Sequence, residues 1–326
     1  MVVLAIGVTP DTVLAKEAGL ELGIKESIVV NDRMETSVPD IYAAGDAVQV
    51  KHYVTGNDAL ISLAGPANKQ GRIIADNICG GDSRYLGSQG SSVIKVFDMT
   101  AATTGINETN AQKSGLEVDT VILSPMSHAG YYPGGKVMTM KVVFEKESYR
   151  LLGAQIIGYE GVDKRIDVLA TAIHARLNAT QLKDLDLAYA PPYSSAKDPV
   201  HMAGCIINNI ANRKLNQWHL EDMDKISKDK DVVLLDVRTV GEFSRGHIDG
   251  FKNIPVDELR ERISEIEKGK PVDLICQSGL RRYIASRILE GNGYETYNFS
   301  GGFRFYDAVV NDRALIEIAY KCGMDY

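Results

Sequence analysis

The chain has 326 residues, of which 44% are hydrophobic and 24% charged, and its formal net charge is −7. This length predicts two or three domains, and the composition is ordinary for a globular protein. A negative charge without a basic stripe argues against a nucleic-acid partner, and no apolar run reaches the roughly eighteen residues that a membrane helix needs. The four cysteines (Cys79, Cys205, Cys276 and Cys322) lie far apart. That spacing excludes a disulfide framework or a zinc site and favours a reducing cytoplasmic compartment.

The first block, residues 1–87, reads as the carboxyl-terminal segment of a nucleotide-binding domain. It opens inside an apolar strand, Val2–Gly7, and a Gly-x-Gly-x-x-Gly loop is missing from the sequence. We therefore expect the chain to belong to a larger protein whose amino-terminal half precedes it. Pro66 is expected in the first turn of a helix that Gly80 and Gly81 end.

A short glycine-containing segment in the same block, Ala43-Ala44-Gly45-Asp46-Ala47, is expected to follow a strand. Gly45 permits close approach of a backbone, and Asp46 places a carboxylate where it can accept hydrogen bonds from ribitol or ribose hydroxyls. Alone, such a segment is compatible with an ordinary turn.

The second block, residues 88–213, has the pattern of an antiparallel sheet with a packed helix. Alternating apolar residues predict strands over Val93–Phe97, Val121–Leu123, Val137–Phe144 and Leu151–Gly158. Helical spacing predicts a helix from Val162 to Leu177. The segment Tyr189–Pro199 contains three prolines and is expected to be an irregular loop at a surface or a site.

The third block, residues 214–326, alternates strands and helices, which predicts a parallel sheet with both faces covered. Strands are expected over 232–237, 274–276 and 296–299. Helices are expected over 258–268, a charged segment, and over 281–291.

One loop of the third block has the residues that favour a reactive cysteine thiolate. Cys276-Gln277-Ser278-Gly279-Leu280-Arg281 follows an apolar strand and leads into a helix. Loop N–H groups, the positive end of the helix dipole and an adjacent arginine all favour an anion on sulfur. The same arrangement holds an anionic sulfur or phosphorus group on the thiol.

This loop and its flanking motifs resemble the rhodanese domain over about 110 residues. The flanking motifs are Leu235-Asp236-Val237-Arg238 with Glu242 and His247, and Ser300-Gly301-Gly302-Phe303. The resemblance implies that Cys276 carries sulfane sulfur as a persulfide, surrounded by the N–H groups of Gln277, Ser278, Gly279, Leu280 and Arg281. Asp236, Arg238, Glu242 and His247 are expected to fix the loops by hydrogen bonding.

Two other interpretations of the loop compete with sulfur transfer. Cys276-x-x-Gly279-x-x-Arg282 also fits a tyrosine-phosphatase-type loop, although Ile275 and Tyr283 stand where such enzymes usually have histidine and a hydroxyl residue. A buried structural cysteine is the other interpretation.

The first block resembles the flavin-dependent pyridine nucleotide–disulfide oxidoreductases. The segments that carry this resemblance are the Gly7–Pro10 turn, residues 36–46 and residues 65–72. It implies that FAD binds at Gly45, Asp46 and Ala47, with Asp46 on the ribitol. It also implies that the helix beginning near Pro66 and Ala67 points its positive end at the flavin. NAD(P)H is the implied reductant.

The second block resembles the dimerisation domain of the coenzyme A-disulfide reductase branch. The Tyr131-Tyr132-Pro133-Gly134 turn and the Tyr189–Pro199 loop carry the resemblance. It implies a homodimer through residues 88–213, in which Tyr131 and Tyr189 reach the partner's active site near its flavin; Tyr132 and Tyr193 are the alternative register. Asn68 and Lys197 are implied to bind coenzyme A, because a lysine suits its phosphates.

Together these resemblances imply an α/β and α+β fold with three parts. These are a partial FAD-binding Rossmann-like domain, an α+β dimerisation domain and an α/β rhodanese domain. The implied function is FAD- and NAD(P)H-dependent reduction of coenzyme A disulfide, persulfide or polysulfide. A sulfurtransferase with a non-functional reductase remnant and a non-enzymatic sulfur-binding module are the alternatives.

Overall fold

The computed structural model describes residue 4 and residues 7–310. Cys322 and most of the predicted opening strand fall outside the described residues. Among those residues, every helix is too short or too polar to cross a lipid bilayer.

The first block forms a small three-stranded sheet. β1 (Ile28–Val29) is parallel to β2 (Val48–Lys51), which is antiparallel to β3 (Asp58–Leu60). Two α-helices, α1 (Val13–Glu17) and α2 (Ala64–Ile78), accompany this sheet. Pro66 lies in the first turn of α2, and Gly80 (φ 87°) follows its end, which confirms the predicted helix.

The Gly45 turn is placed differently from the prediction. Gly45–Ala47 form a 3-10 turn that leads into β2 instead of following a strand. Positive φ angles at Met34 (66°) and Asp40 (61°) break the extended run before it. The prediction of a preceding strand was therefore wrong.

The second block is built on a five-stranded antiparallel sheet in the order β4-β5-β8-β7-β6. Its strands are β4 (Ser92–Val96), β5 (Met99–Gly105), β6 (Val118–Leu123), β7 (Met138–Glu145) and β8 (Leu151–Gly158). The short helix α3 (Glu108–Lys113) and the helices α4 (Val162–His174) and α5 (Pro199–Ala211) complete the block. Its core includes Met140, Ile156, Leu169 and Ile207, all inaccessible to solvent.

The third block has a parallel five-stranded sheet in the order β11-β10-β12-β13-β9. The strands are β9 (Gln217–Trp218), β10 (Val233–Asp236), β11 (Lys252–Asn253), β12 (Val272–Ile275) and β13 (Thr296–Phe299). The helices are α6 (Met223–Ile226), α7 (Val240–Arg245), α8 (Leu280–Glu290) and helical turns over 302–310. The predicted mixture of α/β and α+β architecture is confirmed.

Two predicted elements of the second and third blocks were wrong. The charged helix over 258–268 is a series of turns with a 3-10 segment, Ile263–Glu265. The Tyr294 hydroxyl also lies 3.2 and 3.0 Å from the carbonyls of Ile263 and Ile266, so a residue from outside the segment helps to hold these turns. Pro199 is also not in the irregular loop, since it is the first residue of α5, where a missing N–H carries no penalty.

The third block docks on the second through β6. The Ile122 N–H donates to the Ser300 Oγ at 3.0 Å, and His219 Nε2 lies 3.0 Å from a carboxylate oxygen of Asp119. Ser300 begins the glycine motif beside the Cys276 loop. The contact between blocks therefore adjoins that loop.

Candidate active site

Cys276 lies where β12 ends and the turn into α8 begins. The residue is 1% exposed, and its Sγ accepts a hydrogen bond from the Gly279 N–H at 3.1 Å. The first-turn N–H groups of an α-helix have no intrahelical partner, and Gly279, the N-cap of α8, provides no side chain to accept from them. The loop thus presents backbone donors and a positive dipole end to a sulfur anion.

The glycine motif after β13 holds the loop by its carbonyls. The Phe303 N–H donates to the Cys276 carbonyl at 2.8 Å, and the Arg304 N–H donates to the Gln277 carbonyl at 3.2 Å. Gly302 has φ 71°, and a Cβ there would come within 2.7 Å of the Cys276 carbonyl oxygen. Only glycine allows this close approach.

Two ion pairs support the loop from the strand ends. Arg238 and Asp236 are both buried and 2.7 Å apart, and Arg238 also donates to the Gly246 carbonyl. Arg281 forms a bidentate pair with Glu242, with distances of 2.6 and 2.8 Å. Glu242 closes a capping box with Thr239 at the start of α7. The expected structural roles of Asp236, Arg238 and Glu242 match these contacts.

The ion pair with Arg281 lowers the pKa of the Glu242 carboxyl group. Hydrogen bonds from Arg281, opposed by partial burial and helped by Thr239, lower the pKa of Glu242 to about 2. Arg281 is thus paired with a carboxylate, and its predicted catalytic role at the sulfur remains a prediction.

Arg282 is the residue of this site to which the sulfur-transfer interpretation gave no role. It is 5% exposed, and its Nη1 atom is buried without a hydrogen-bond acceptor among the described residues. The signal was present in the Cys276-x-x-Gly279-x-x-Arg282 spacing, which sequence reasoning connected with phosphatases alone.

Tyr131 and Tyr189, predicted to act together, do meet in the second block. Their hydroxyl oxygens lie 2.7 Å apart, although 58 positions separate them in the chain. The hydrogen bond with Tyr131 raises the pKa of Tyr189. Tyr189 and Tyr193 line a cavity of about 580 Å³, together with His128 and Lys164. Tyr132 packs edge-on against His128 instead.

A buried ion pair, which sequence reasoning missed, positions the Tyr189–Pro199 loop. Arg165 donates to Asp198 at 2.9 Å, to the Ser127 carbonyl at 2.9 Å and to the Tyr193 carbonyl at 3.3 Å. Burial alone would raise the pKa of Asp198, but hydrogen bonds from Ser194 and the Val200 N–H, with the charge of Arg165, lower it. The available signal was a charged residue within the apolar stripe of α4.

The predicted flavin-binding residues form an open edge on the first block. The Gly45 N–H donates to Gln70 of α2 at 2.7 Å, and a Cβ on Gly45 would lie 4.0 Å from that of Ala67. Asp46 is exposed, and α2 begins at an N-terminus without a side-chain cap. Among the described residues, the Asp46 carboxylate forms no hydrogen bond and no side chain caps the start of α2.

The two residues assigned to coenzyme A are both exposed. Asn68 lies on the first turns of α2, and Lys197 lies in the loop before α5. Their side chains form no hydrogen bond with the tyrosine pair within residues 7–310. Their assignment remains a prediction.

The fold joins three parts: a small sheet with the predicted flavin-binding residues, an antiparallel sheet with the tyrosine pair, and a parallel sheet with the Cys276 loop. The pyridine nucleotide-disulphide oxidoreductase family matches residues 1–71, and the dimerisation domain of that family matches residues 91–200. The rhodanese-like domain matches residues 219–308. The chain thus contains pyridine nucleotide-disulphide oxidoreductase domains followed by a rhodanese-like domain.

Curated proteins that are similar in sequence are reductases of sulfur compounds by name. An NAD(P)H sulfur oxidoreductase (CoA-dependent) of Pyrococcus abyssi is 38% identical over 200 residues, which are 61% of this chain and 45% of that protein. A coenzyme A disulfide reductase of Staphylococcus aureus is 34% identical over 205 residues, 63% of this chain and 46% of that protein. The chain spans about half the length of the curated relatives it matches.

Two solved structures match across nearly the whole chain. Reduced Bacillus anthracis CoADR-RHD is 47% identical with a TM-score of 0.92, covering 95% of this chain and 56% of that one. An NAD-dependent persulfide reductase from A. fulgidus is 41% identical with a TM-score of 0.84, covering 92% of this chain and 54% of that one.

Proposed function

We propose that this chain works in an FAD- and NAD(P)H-dependent reductase of coenzyme A disulfide, persulfide or polysulfide, and that Cys276 carries sulfane sulfur for it. The observation that carries the proposal is the buried Cys276 sulfur, which accepts the Gly279 N–H at the uncapped start of α8. We assign separate roles to three units of the chain: residues 1–87, 88–213 and 214–326. The names of the relatives support this assignment.

The first unit is proposed to hold one edge of FAD. Asp46 would accept from the ribitol, and the N–H groups near Pro66 and Ala67 would face the flavin ring, beside Gly45 and Ala47. The open edge fits this group because Asp46 is exposed and α2 is uncapped. Bound there, FAD would supply electron transfer from NAD(P)H to a disulfide or persulfide.

The tyrosine pair is proposed to move a proton at the reductase site. The Tyr189 hydroxyl would donate to a leaving thiolate, and Tyr131, 2.7 Å away, would hold that hydroxyl in place. Asn68 and Lys197 would bind the coenzyme A part of the substrate.

A homodimer is proposed through the second unit. The edge strand β4 exposes Val93, Ile94 and Val96 by 58, 60 and 49%, and Phe97 beyond it is 93% exposed. Such a continuous apolar edge favours burial against another subunit. Light scattering should report a dimer for the wild type and a monomer for Ile94→Asp; a monomeric wild type contradicts the proposal.

The reductase test is an absorbance scan of the natively purified protein followed by NAD(P)H-dependent reduction of coenzyme A disulfide and polysulfide. Flavin absorbance and turnover are expected. Tyr189→Phe should lower turnover by about a hundredfold, since one general acid contributes on that order. Tyr297→Phe, a hydroxyl deletion in the third unit, is the matched control.

A colourless protein that still transfers sulfur would favour the second candidate, a sulfurtransferase with a non-functional reductase remnant. The self-contained geometry of the Cys276 loop supports that candidate. Sulfur loading without turnover would instead favour a sulfur-binding module.

A further inference from the structure

The guanidinium of Arg282 faces the Cys276 loop. A Cβ built on Gly279 would lie 3.4 Å from Nη1 and 3.6 Å from Cζ of Arg282, so the group packs on the residue whose N–H donates to the Cys276 Sγ. Burial lowers the pKa of Arg282, while the neighbouring Cys276 sulfur raises it. The side chain is 95% inaccessible and aimed at the loop.

Its neighbouring cations are already neutralised. Arg281 has both Glu242 carboxylate oxygens, and Arg238 has Asp236. Arg282 has no carboxylate partner among the described residues, and its buried Nη1 has no acceptor there. The three arginines around the loop therefore differ in one respect: Arg282 has a charge without a counter-charge.

A buried, unpaired cation is strongly unfavourable, and arginine does not lose its proton in proteins. An anion held by the loop would remove this penalty. The loop offers two ways to supply one: an anionic sulfur on Cys276 itself, or a small oxyanion bound above it at the N–H groups of α8.

We propose that Arg282 is the positioning residue that stabilises the anionic sulfur on Cys276 and that, with the N–H groups of the loop, it holds small dianionic oxyanions such as thiosulfate, the donor class expected of a rhodanese-like loop. The persulfide part rests on the proposed sulfur transfer, whereas oxyanion binding stands without it. Arg282 thereby supplies a positive charge at the loop that no carboxylate of the described residues neutralises, whereas Arg281 shares its charge with Glu242.

With thiosulfate as donor, the step balances without another reagent. The Cys276 thiolate attacks the sulfane sulfur, a new S–S bond forms on the cysteine, and the S–S bond of thiosulfate breaks. The electron pair of the broken bond leaves on sulfite, and no proton is required. Arg282 faces one negative charge on the cysteine sulfur before the step and one after it.

The test measures alkylation of Cys276 by iodoacetamide in the full chain, with inorganic sulfate as an unreactive oxyanion probe at constant ionic strength. Arg282→Met should slow alkylation at neutral pH about tenfold or more, because an adjacent opposite charge favours the thiolate. Sulfate should protect the wild type and lose that effect in Arg282→Met. Arg282→Lys, which keeps the charge, should restore part of both.

Arg287→Met is the matched control, because Arg287 lies on the same helix and pairs with Glu290 outside the loop. It should behave like the wild type. If circular dichroism shows that Arg282→Met is unfolded, Arg282→Gln supplies the same comparison with a polar side chain.

Wild-type alkylation with undiminished sulfate protection in Arg282→Met would overturn the proposal. Loss of protection in Arg281→Met but not in Arg282→Met would overturn it as well. A wild-type protein that takes no sulfur from polysulfide, yet is protected by sulfate through Arg282, would contradict the proposed sulfur transfer and leave the oxyanion site standing.

Discussion

The Cys276 loop and the tyrosine pair are two sites built in opposite ways. The loop takes its sulfur, donors and nearest cation from one run of seven residues, and its thiol is 1% exposed. The pair joins residues 58 positions apart, and Tyr131 and Tyr189 are 76 and 45% exposed. A contiguous loop carries its own electrostatics, whereas separated, exposed side chains depend on the scaffold that orients them.

The comparison also shows where each site is vulnerable. The loop depends on backbone geometry, with Gly302 allowing the close approach that holds the Cys276 carbonyl. The tyrosine site depends on the buried Arg165–Asp198 ion pair, which helps to anchor the loop carrying Tyr189. Changes in one region should therefore leave the other intact.

The largest expected effect is on sulfur transfer, and it should distinguish the Cys276 loop from the tyrosine site. Cys276→Ser should reduce sulfur transfer by a thousandfold or more, on the order found when a nucleophile is removed. Direct disulfide reduction in the holoenzyme should continue. The measurements are sulfurtransferase and reductase rates, with Cys79→Ser, an exposed cysteine at the end of α2, as control. Loss of both activities in Cys276→Ser would contradict a two-site protein.

The next effect concerns the scaffold of the tyrosine site. Arg165→Met leaves Asp198 buried and unpaired, which should lower the free energy of unfolding of the second block by about 3–5 kcal/mol. Urea unfolding followed by fluorescence measures this change. Asp167→Asn, on the same helix with an exposed side chain, is the control. Equal stability of the two variants would show that the ion pair does not anchor the loop.

The partly exposed Arg281–Glu242 ion pair beside the Cys276 loop should make a smaller, pH-dependent contribution to the free energy of unfolding. The folded pKa of Glu242 is about 2, below its usual value of 4.5. Its contribution is therefore fully present above about pH 4.5 and is lost as the pH falls towards 2. Because both side chains are partly exposed, at 22 and 30%, the pair should contribute about 1 kcal/mol.

Acid unfolding of the wild type and Glu242→Gln measures that contribution. The stability difference should shrink as the pH drops from 4.5 to 2. A difference that stays constant over this range would mean that Glu242 acts by packing rather than by charge.

Much of the fold followed from local pattern, and the failures have physical causes. Four of the five strands of the second block and the helix after Cys276 were predicted because alternation and helical spacing are local signals, whereas β5 was missed. The helix predicted over 258–268 was wrong: the segment forms turns, and Tyr294, a residue from outside it, bonds the carbonyls of Ile263 and Ile266. Tertiary contacts of this kind are not encoded in local spacing.

The same distinction applies to the sites. The cysteine and its donors could be predicted from the loop sequence alone. The unpaired state of Arg282 could not, because it depends on Glu242 and Asp236 pairing with Arg281 and Arg238 instead. The anchoring of the tyrosine loop by Arg165 required knowledge that α4 packs beneath it.

The measurement that tests the central claim most directly is the intact mass of the natively purified protein before and after polysulfide, with peptide mapping of the modified residue. The account predicts the addition of one sulfur atom on Cys276, removed by a thiol reductant and missing from Cys276→Ser. An unchanged mass, or sulfur on another cysteine with Cys276 unmodified, would contradict it.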